Sequence, residues 1–78
     1  MTTMQELEAT LREVFDDAAL RVTEATTAND VDGWDSLSHV NVIVAVEARF
    51  GVRFTPREAL TFRNVGDMAR AIDARRPR

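Results

Sequence analysis

Apolar residues in the first twenty positions follow the spacing of a helix face. They recur at intervals of three and four along one side of an α-helix: Met4, Leu7, Leu11, Val14, Phe15 and Ala18. Thr3 and Glu6 fit a capping box, in which each side chain bonds the backbone N–H of the other residue. The pattern predicts an amphipathic helix that runs to about Leu20.

The next stretch, residues 21–35, shows no clear period. A stretch of this length without regular structure is unusual in a small domain and is often functional. Its apolar residues Val22, Ala28 and Val31 are expected to anchor it to the core. The sequence therefore predicts a long loop before the second helix.

Residues 36–50 carry two conflicting signals. Alternate valines between positions 40 and 46 favour a strand, because β-branched residues are enriched there. However, Asp35 and Ser36 are typical of a helix start, and Gly51 is typical of the position after a helix end. Fifteen residues is also long for a strand in so short a chain. We predict a helix from Ser36 to Phe50.

This second helix would be apolar on more than one side. One set of side chains can face the core: Val42, Ile43, Val46 and Phe50. A second set occupies the remaining surface: Leu37, Val40, Asn41, Val44 and Glu47. Four short helices cannot bury a helix on every side, so the second set is interpreted as a partner-docking face. Plain solvent exposure is the alternative interpretation.

The last third of the chain predicts two further helices. Thr55 can cap a helix with Pro56 at its first position, and Leu60 or Phe62 would end it. Asn64 with Asp67 opens the final helix. That helix has apolar residues on one face, and a proline lies beyond it: Val65, Met68, Ala69, Ile72 and Pro77. The predicted fold class is all-α, a four-helix bundle with a short third helix.

The size and composition of the chain exclude several classes of protein. Its 78 residues correspond to one domain, residues 1–78, with a thin core and little room for an enclosed active site. It has no cysteine, and the single histidine, His39, cannot form a zinc site alone. The N-terminus has neither a basic patch nor a long apolar run, so we expect a cytoplasmic protein without a membrane span. We expect a monomer, because the exposed apolar stripe of the second helix is modest.

Charge is distributed unevenly along the chain. The net charge of −3 argues against a nucleic-acid partner. Residues 1–35 hold nine acids and two arginines, whereas residues 36–78 hold four acids and eight arginines. An acidic region suits partners with basic docking patches, although ordinary solvated helix faces give the same pattern.

Ser36 is the residue that suggests specific chemistry. Backbone N–H groups at a helix start are unpaired and carry a partial positive charge, which stabilises a phosphate. A serine at the end of a long exposed loop is also accessible to a modifying enzyme. From the residues alone, a simple capping role for Ser36 is the favoured interpretation, because most serines at helix starts are only caps.

The region around Ser36 resembles the attachment site of acyl carrier proteins. The matching positions are Gly33-Trp34-Asp35-Ser36-Leu37, Val40, Val44, Val46-Glu47 and Phe50-Gly51-Val52. The resemblance continues over essentially the whole chain, at Thr55-Pro56, Ala59, Phe62-Arg63-Asn64-Val65 and Ile72.

The resemblance implies a right-handed four-helix bundle that is not an enzyme. It implies that a separate, magnesium-dependent phosphopantetheinyl transferase attaches 4′-phosphopantetheine from coenzyme A to Ser36. The thiol of that arm would carry acyl groups as thioesters. Asp35 would help the transferase hold its metal and substrate. The docking-face residues Leu37, Val40, Asn41, Val44 and Glu47 would contact acyl-loading and acyl-processing enzymes of the acyltransferase, ketosynthase or ligase type.

The sequence departs from the pattern of housekeeping fatty-acid carriers. Those carriers usually have acidic residues where this chain has Ser38, Asn41, Ala48 and Arg49. Trp34 replaces the usual small or aliphatic residue, and would either pack beside the arm or anchor the loop. These departures resemble discrete carriers of specialised pathways, such as polyketide assembly, more than those of bulk fatty-acid synthesis.

The sequence also bears on five other functions. A peptidyl carrier usually has glycine before the serine, so Asp35 favours acyl cargo, and a D-alanyl carrier stays possible. A non-enzymatic helical adaptor would use the exposed stripe of the second helix alone. A hydrolase using Asp35, Ser36 and His39 is disfavoured, because Asp35 is poorly placed to orient the imidazole. A helix-turn-helix DNA binder is disfavoured because Arg49 is the only basic residue of the would-be recognition helix.

Overall fold

The computed structural model describes residues 2–76, and within them the chain forms four α-helices and no strand. Helix α1 spans Thr3–Val14, α2 spans Ser36–Phe50, α3 spans Pro56–Ala59 and α4 spans Val65–Arg75. A short 3-10 turn at Ala28–Asp30 interrupts the first loop, residues 15–35. The predicted helix order, the short third helix and the long first loop are confirmed.

Helix α1 begins one residue earlier than the predicted capping box implied. The hydroxyl of Thr2 accepts a hydrogen bond from the Gln5 N–H at 3.1 Å, and the Gln5 side chain accepts one from the Thr2 N–H at 2.9 Å. The box therefore pairs Thr2 with Gln5 rather than Thr3 with Glu6. Both pairs have the required spacing, so sequence alone could not separate them.

The predicted extension of α1 to Leu20 was wrong. The helix ends at Val14 because Asp16 adopts a left-handed conformation with φ 50°, which an L-residue cannot adopt inside a right-handed helix. The guanidinium of Arg12 then donates from Nε to the Leu20 carbonyl at 2.7 Å and fixes the returning chain. Ala18 consequently lies outside the helix and is exposed.

The core is built mainly by three helices, α1, α2 and α4. Its apolar side chains come from matching faces of these helices and from the segments that join them: Leu7, Leu11, Val22, Val42, Val46, Phe50, Val52, Val65, Met68, Ala69 and Ile72. Burial of this surface is the main force that stabilises the fold. The predicted core-facing residues of α2 and α4 are confirmed, with Ile43 only partly buried.

Of the three residues expected to anchor the first loop, Val22 belongs to the core cluster and Val31 is buried outside it. Val22 and Val31 are buried, whereas Ala28 is exposed because it opens the 3-10 turn at the surface. The Val22 N–H also donates to the Glu8 carboxylate of α1 at 3.0 Å. Two side chains and one polar contact therefore hold a segment with no periodic pattern against the bundle.

The first loop also caps helix α4 with its backbone. The N–H groups of Val65 and Gly66 donate to the carbonyls of Thr26 and Glu24, at 2.8 and 2.9 Å. These bonds satisfy N–H groups that have no acceptor within the helix. A side chain at Gly66 would collide with the loop, because its Cβ would lie 2.9 Å from the Glu24 carbonyl oxygen.

The remaining helix ends follow their predicted signals. Thr55 accepts from the Glu58 N–H at 3.1 Å, and Asn64 accepts from the Asp67 N–H at 2.8 Å. Helix α3 closes at Leu60, and Gly51 closes α2 in the left-handed conformation, φ 66°. Pro77 lies outside the described residues. Among residues 2–76, no helix has both the length and the apolar character needed to cross a bilayer.

We expect the substitution Gly66→Ala to destabilise the fold by about 1–3 kcal/mol, because the added methyl group must displace the first loop. Urea unfolding followed by circular dichroism measures the change. Gly51→Asn is the matched control: nothing lies within 4 Å of a Cβ at Gly51, and asparagine tolerates the left-handed conformation. Equal stability of the Gly66→Ala variant and the unaltered protein would contradict the close approach of loop and helix.

Candidate functional site

Ser36 is the first residue of α2, and its side chain is exposed. Asp35 precedes it as the N-cap, and its carboxylate accepts a hydrogen bond from the Ser38 N–H at 2.8 Å. This cap starts the helix at a fixed point, so the chain emerging from the long first loop presents the Ser36 hydroxyl at the helix tip. Ser36 is therefore exposed at the end of the long first loop, as predicted.

The backbone at this tip favours a negatively charged group. The N–H groups of Ser36 and Leu37 have no acceptor within the helix, as in the first turn of any α-helix, and they carry the positive end of the helix dipole. A phosphate ester on the Ser36 oxygen would lie in that field. The residues present thus fit a phosphate-linked group on this serine.

The Asp35 carboxyl is ionised at neutral pH. The hydrogen bond from the Ser38 N–H is the largest of the contacts that hold the pKa of Asp35 below its usual value of 3.8. An ionised carboxylate next to an exposed hydroxyl can help bind a divalent cation. Within residues 2–76, no three acidic, histidine or cysteine side chains are grouped to hold a metal on their own.

Two depressions flank the first turns of α2. The Ser36 cleft, about 390 Å³, is lined by residues that include Trp34, Ser36, His39 and Phe62. The α2–α3 groove, about 350 Å³, is lined mostly by apolar side chains from the two helices and the segment between them: Val40, Ile43, Val44, Phe54, Pro56, Ala59 and Leu60. His39, Val40 and Leu60 line both, so the two depressions adjoin each other.

Trp34 both anchors the first loop and lines the Ser36 cleft. Its ring lies 5.5 Å from the Phe15 ring and 6.0 Å from the His39 ring, measured between centroids. Its indole N–H donates to His39 Nδ1 at 3.1 Å. Both interpretations of Trp34, a loop anchor and a neighbour of Ser36, are therefore compatible with its position.

The hydrogen bonds of His39 argue against the hydrolase considered above. Nδ1 accepts from Trp34, and Nε2 lies 2.8 Å from the carbonyl oxygen of Ala59. Both ring nitrogens are thus engaged with groups other than Ser36. His39 is half-buried, and both of its ring nitrogens make contacts within the fold.

The expected docking face is largely exposed. Leu37, Val40 and Val44 are 74%, 58% and 59% exposed, and Asn41 is exposed beside them. Leu60, 80% exposed at the end of α3, extends this apolar surface. From the sequence, Leu60 was expected only to end this helix. The sequence could have indicated this exposure, since a large apolar residue just after a one-turn helix has few places to be buried.

Glu47 has a structural role that the sequence did not reveal. Its carboxylate accepts a hydrogen bond from the Phe54 N–H at 2.8 Å and is half-buried. The bond ties the segment after α2 back onto the helix. No local pattern could indicate a contact across the turn at Gly51, so the sequence suggested only partner contact or solvent exposure for Glu47.

Comparison with known proteins was made on both sequence and structure. Residues 5–72 match the family model described as phosphopantetheine attachment site. The acyl carrier protein of Helicobacter pylori is 35% identical over 74 residues, covering 94% of each chain. That of Helicobacter acinonychis is 34% identical over the same length. The solution structure of the holo acyl carrier protein of Geobacter metallireducens superposes with a TM-score of 0.88 at 43% identity, covering 96% of this chain and 86% of that one.

The cap at Asp35 should give the protein a specific sensitivity to acid. Because the folded state lowers the pKa of Asp35 below 3.8, its stabilising contribution is complete above that value and is lost as the pH falls through the lower folded pKa. Between pH 7 and about pH 3, the thermal midpoint of the unaltered protein should therefore fall further than that of Asp35→Asn, which keeps a neutral cap.

The control is Asp32→Asn, which removes an exposed carboxylate from the same loop and should follow the unaltered protein. Asp67, whose pKa is lowered chiefly by the Arg63 N–H, is present in all three proteins and cancels from the comparison. Parallel acid profiles for Asp35→Asn and the unaltered protein would show that the charged cap does not stabilise α2.

Proposed function

The chain belongs to the acyl carrier protein family, and we propose that Ser36 is the residue to which its 4′-phosphopantetheine is attached. The protein is a carrier and not an enzyme, and the covalently attached phosphopantetheine is its cofactor. The observation that carries the assignment of Ser36 is its exposed hydroxyl at the tip of α2, directly after the Asp35 cap.

The proposed attachment is a phosphoryl transfer performed by a separate phosphopantetheinyl transferase. The Ser36 oxygen forms a new P–O bond to the pantetheine-bearing phosphate of coenzyme A, and the pyrophosphate bond of coenzyme A breaks. Adenosine 3′,5′-bisphosphate leaves, and the hydroxyl proton passes to the transferase or to solvent. The ionised Asp35 carboxylate would contribute to the transferase's magnesium site, which this chain does not build alone among its described residues.

The attached group would supply a terminal thiol on which acyl groups are held as thioesters. The positive end of the α2 dipole would favour the phosphate at the tip of the helix. The docking face would bring Leu37, Val40, Asn41 and Val44 against acyltransferase, ketosynthase or ligase partners, because exposed apolar side chains in one stripe favour such contacts. Glu47 would belong to that face through the part of its carboxylate that is not hydrogen-bonded to the Phe54 N–H.

We further propose that the carrier serves a specialised pathway, such as polyketide assembly, rather than bulk fatty-acid synthesis. The support is electrostatic. Glu47 is the only acidic residue of α2, and its carboxylate is already hydrogen-bonded to Phe54. Arg53 lines a depression with Val44 and Glu47 and adds positive charge beside them. A partner that recognises a strongly acidic second helix would find few of the charges it needs.

We expect the purified protein to gain the mass of one phosphopantetheine when incubated with coenzyme A, magnesium and a broad-specificity transferase. The Ser36→Ala variant should gain nothing, because the attacking oxygen is absent. Ser38→Ala removes the neighbouring serine hydroxyl and should be modified as the unaltered protein is. Intact-mass spectrometry measures all three. Modification of Ser36→Ala would overturn the assignment of Ser36, and modification of none of the folded proteins would favour the helical adaptor.

The docking face can be tested with two valines on opposite sides of one helix. Val44→Ala should raise the transferase KM for the carrier about five- to tenfold. The substitution removes two methyl groups that would be buried in the complex with the transferase, and their loss weakens binding. Its stability should change by less than about 0.5 kcal/mol, because Val44 is exposed.

Val46→Ala is the matched control. Val46 is fully buried, so its truncation should destabilise the fold by about 1–3 kcal/mol and leave KM near its original value. Equal KM values for the two variants would mean that the exposed stripe does not meet the transferase.

A further inference from the structure

The Ser36 cleft lies where the first loop, α2 and the end of α3 meet. Residues from all three line it: Ala28, Trp34, Asp35, Ser36, His39, Val40, Leu60 and Phe62. Most of these side chains are apolar, although the cleft opens beside the exposed hydroxyl of Ser36. A group attached to that hydroxyl therefore has an apolar surface within reach.

The N–H groups in the lining of the cleft are already hydrogen-bonded within the fold. The indole N–H of Trp34 donates to His39 Nδ1 at 3.1 Å. Because an indole N–H can only donate, the neutral imidazole carries its hydrogen on Nε2, which donates to the Ala59 carbonyl at 2.8 Å. Trp34 and His39 thus offer ring surfaces and no free N–H. The cleft suits an apolar group better than an amide, which needs a hydrogen-bond partner when it is buried.

Two exposed leucines lie close to Ser36, and they belong to different surroundings. Leu60, 80% exposed, reaches the cleft from the end of α3. Leu37, 74% exposed, follows Ser36 directly on α2, and it is not among the described residues that line the cleft. Contact with one leucine or the other therefore reports the direction in which an attached group leaves Ser36.

The chemistry of the phosphopantetheine arm determines which of its parts can reach the cleft. A quaternary carbon with two methyl groups lies only a few bonds from the phosphorus, and the amides and the thiol come later along the arm. With the phosphate fixed on Ser36, the dimethyl group stays at high local concentration beside the cleft. Burial of its methyl groups against apolar side chains should favour the bound position about three- to tenfold over a free arm.

We propose that the Ser36 cleft binds the dimethyl end of the phosphopantetheine arm, with Trp34 and Leu60 as the positioning residues that hold it. The inference rests on the proposed attachment at Ser36 and requires nothing of the cargo. The arm then leaves α2 on the side of α3, and Leu37 stays available to partner enzymes.

The Trp34 side of this site is formed before the arm is attached. Phe15 packs on the Trp34 ring, with 5.5 Å between the ring centroids, and His39 accepts the hydrogen bond from its N–H. A surface that is already in place costs little ordering when the arm binds. Leu60 can close over the arm from the other element, because its exposed side chain is free to change rotamer.

The first test measures quenching of Trp34 fluorescence by acrylamide. Trp34 is the only tryptophan of the chain, so its emission reports on this cleft. The quenching constant of the phosphopantetheine-bearing protein should be at least about twofold lower than that of the unmodified protein, because the arm covers the ring. Free pantetheine at an equal concentration should leave the unmodified protein unchanged. Equal quenching constants with and without the attached arm would overturn the proposal.

Leu60→Ser and Leu37→Ser form a matched pair of variants. Both leucines are exposed, so both variants should melt within about 3 °C of the unaltered protein. In Leu60→Ser the attached arm should no longer protect Trp34 from acrylamide, whereas in Leu37→Ser the protection should persist. Loss of protection in Leu37→Ser alone, or persistence in both variants, would contradict the assigned position of the arm.

The second test locates the arm by NMR. An unlabelled arm is attached to protein labelled with ¹³C and ¹⁵N, and isotope-filtered spectra record nuclear Overhauser effects between the two. The dimethyl protons of the arm should show contacts to the Trp34 indole and to the Leu60 methyl groups, and none to the methyl groups of Leu37. Contacts to Leu37 in place of Trp34, or no contact to either ring or leucine, would overturn the proposal.

Intact mass, recorded before these tests, separates failure of the arm site from failure of the proposed function. If the folded, unaltered protein takes up no phosphopantetheine, both the attachment at Ser36 and the arm site are wrong. If it takes up the group on Ser36 and neither the quenching nor the Overhauser contacts appear, the arm site alone is wrong and the carrier function stands.

Discussion

The structure depends on the fact that a chain of 78 residues can cover only one side of its second helix. The inner side of α2 packs through Val42, Val46 and Phe50 into the core formed with α1 and α4. Among residues 2–76 the remaining α-helix, α3, is a single turn, and it leaves Leu37, Val40 and Val44 in solvent. Apolar burial on one side fixes α2 in the bundle. On the other side, no further helix among the described residues covers α2, and an apolar surface is left for partners.

Rigidity of α2 in turn defines the position of Ser36. The Asp35 cap starts the helix immediately before this residue, and the first loop is held by buried valines, by its backbone bonds to α4 and by Trp34. A modifying enzyme therefore meets the serine at a fixed helix tip rather than on a free loop. The contact from Trp34 continues through His39 to α3, so the hydrogen-bonded surroundings of Ser36 extend to the α2–α3 groove.

Signals contained within three or four residues could be predicted from the sequence. The caps at Asp35, Thr55 and Asn64 each depend on a side chain and an N–H three residues later, and all three are present. Features that depend on distant residues could not be predicted. The end of α1 is set by the left-handed Asp16 and by Arg12 bonding Leu20, neither of which disturbs the apolar period.

The site shows the same division. The exposure of Ser36 and of the docking stripe follows from helix periodicity, which sequence reveals. The bond between Glu47 and Phe54 and the bond between His39 and Ala59 join residues 7 and 20 positions apart, and chain geometry alone brings them together. Gly66 likewise carries no sequence signal of the loop that approaches it. Family resemblance supplied the chemistry of Ser36, because its local environment alone also suits a simple helix cap.

The most direct test of the central claim is to locate the added group on the modified protein. After reaction with coenzyme A and the transferase, trypsin should release residues 22–49 as one peptide, since no basic residue other than histidine lies between Arg21 and Arg49. Fragmentation by tandem mass spectrometry should then assign the phosphopantetheine to Ser36. Its assignment to Ser38 or to any threonine of the peptide would contradict the account.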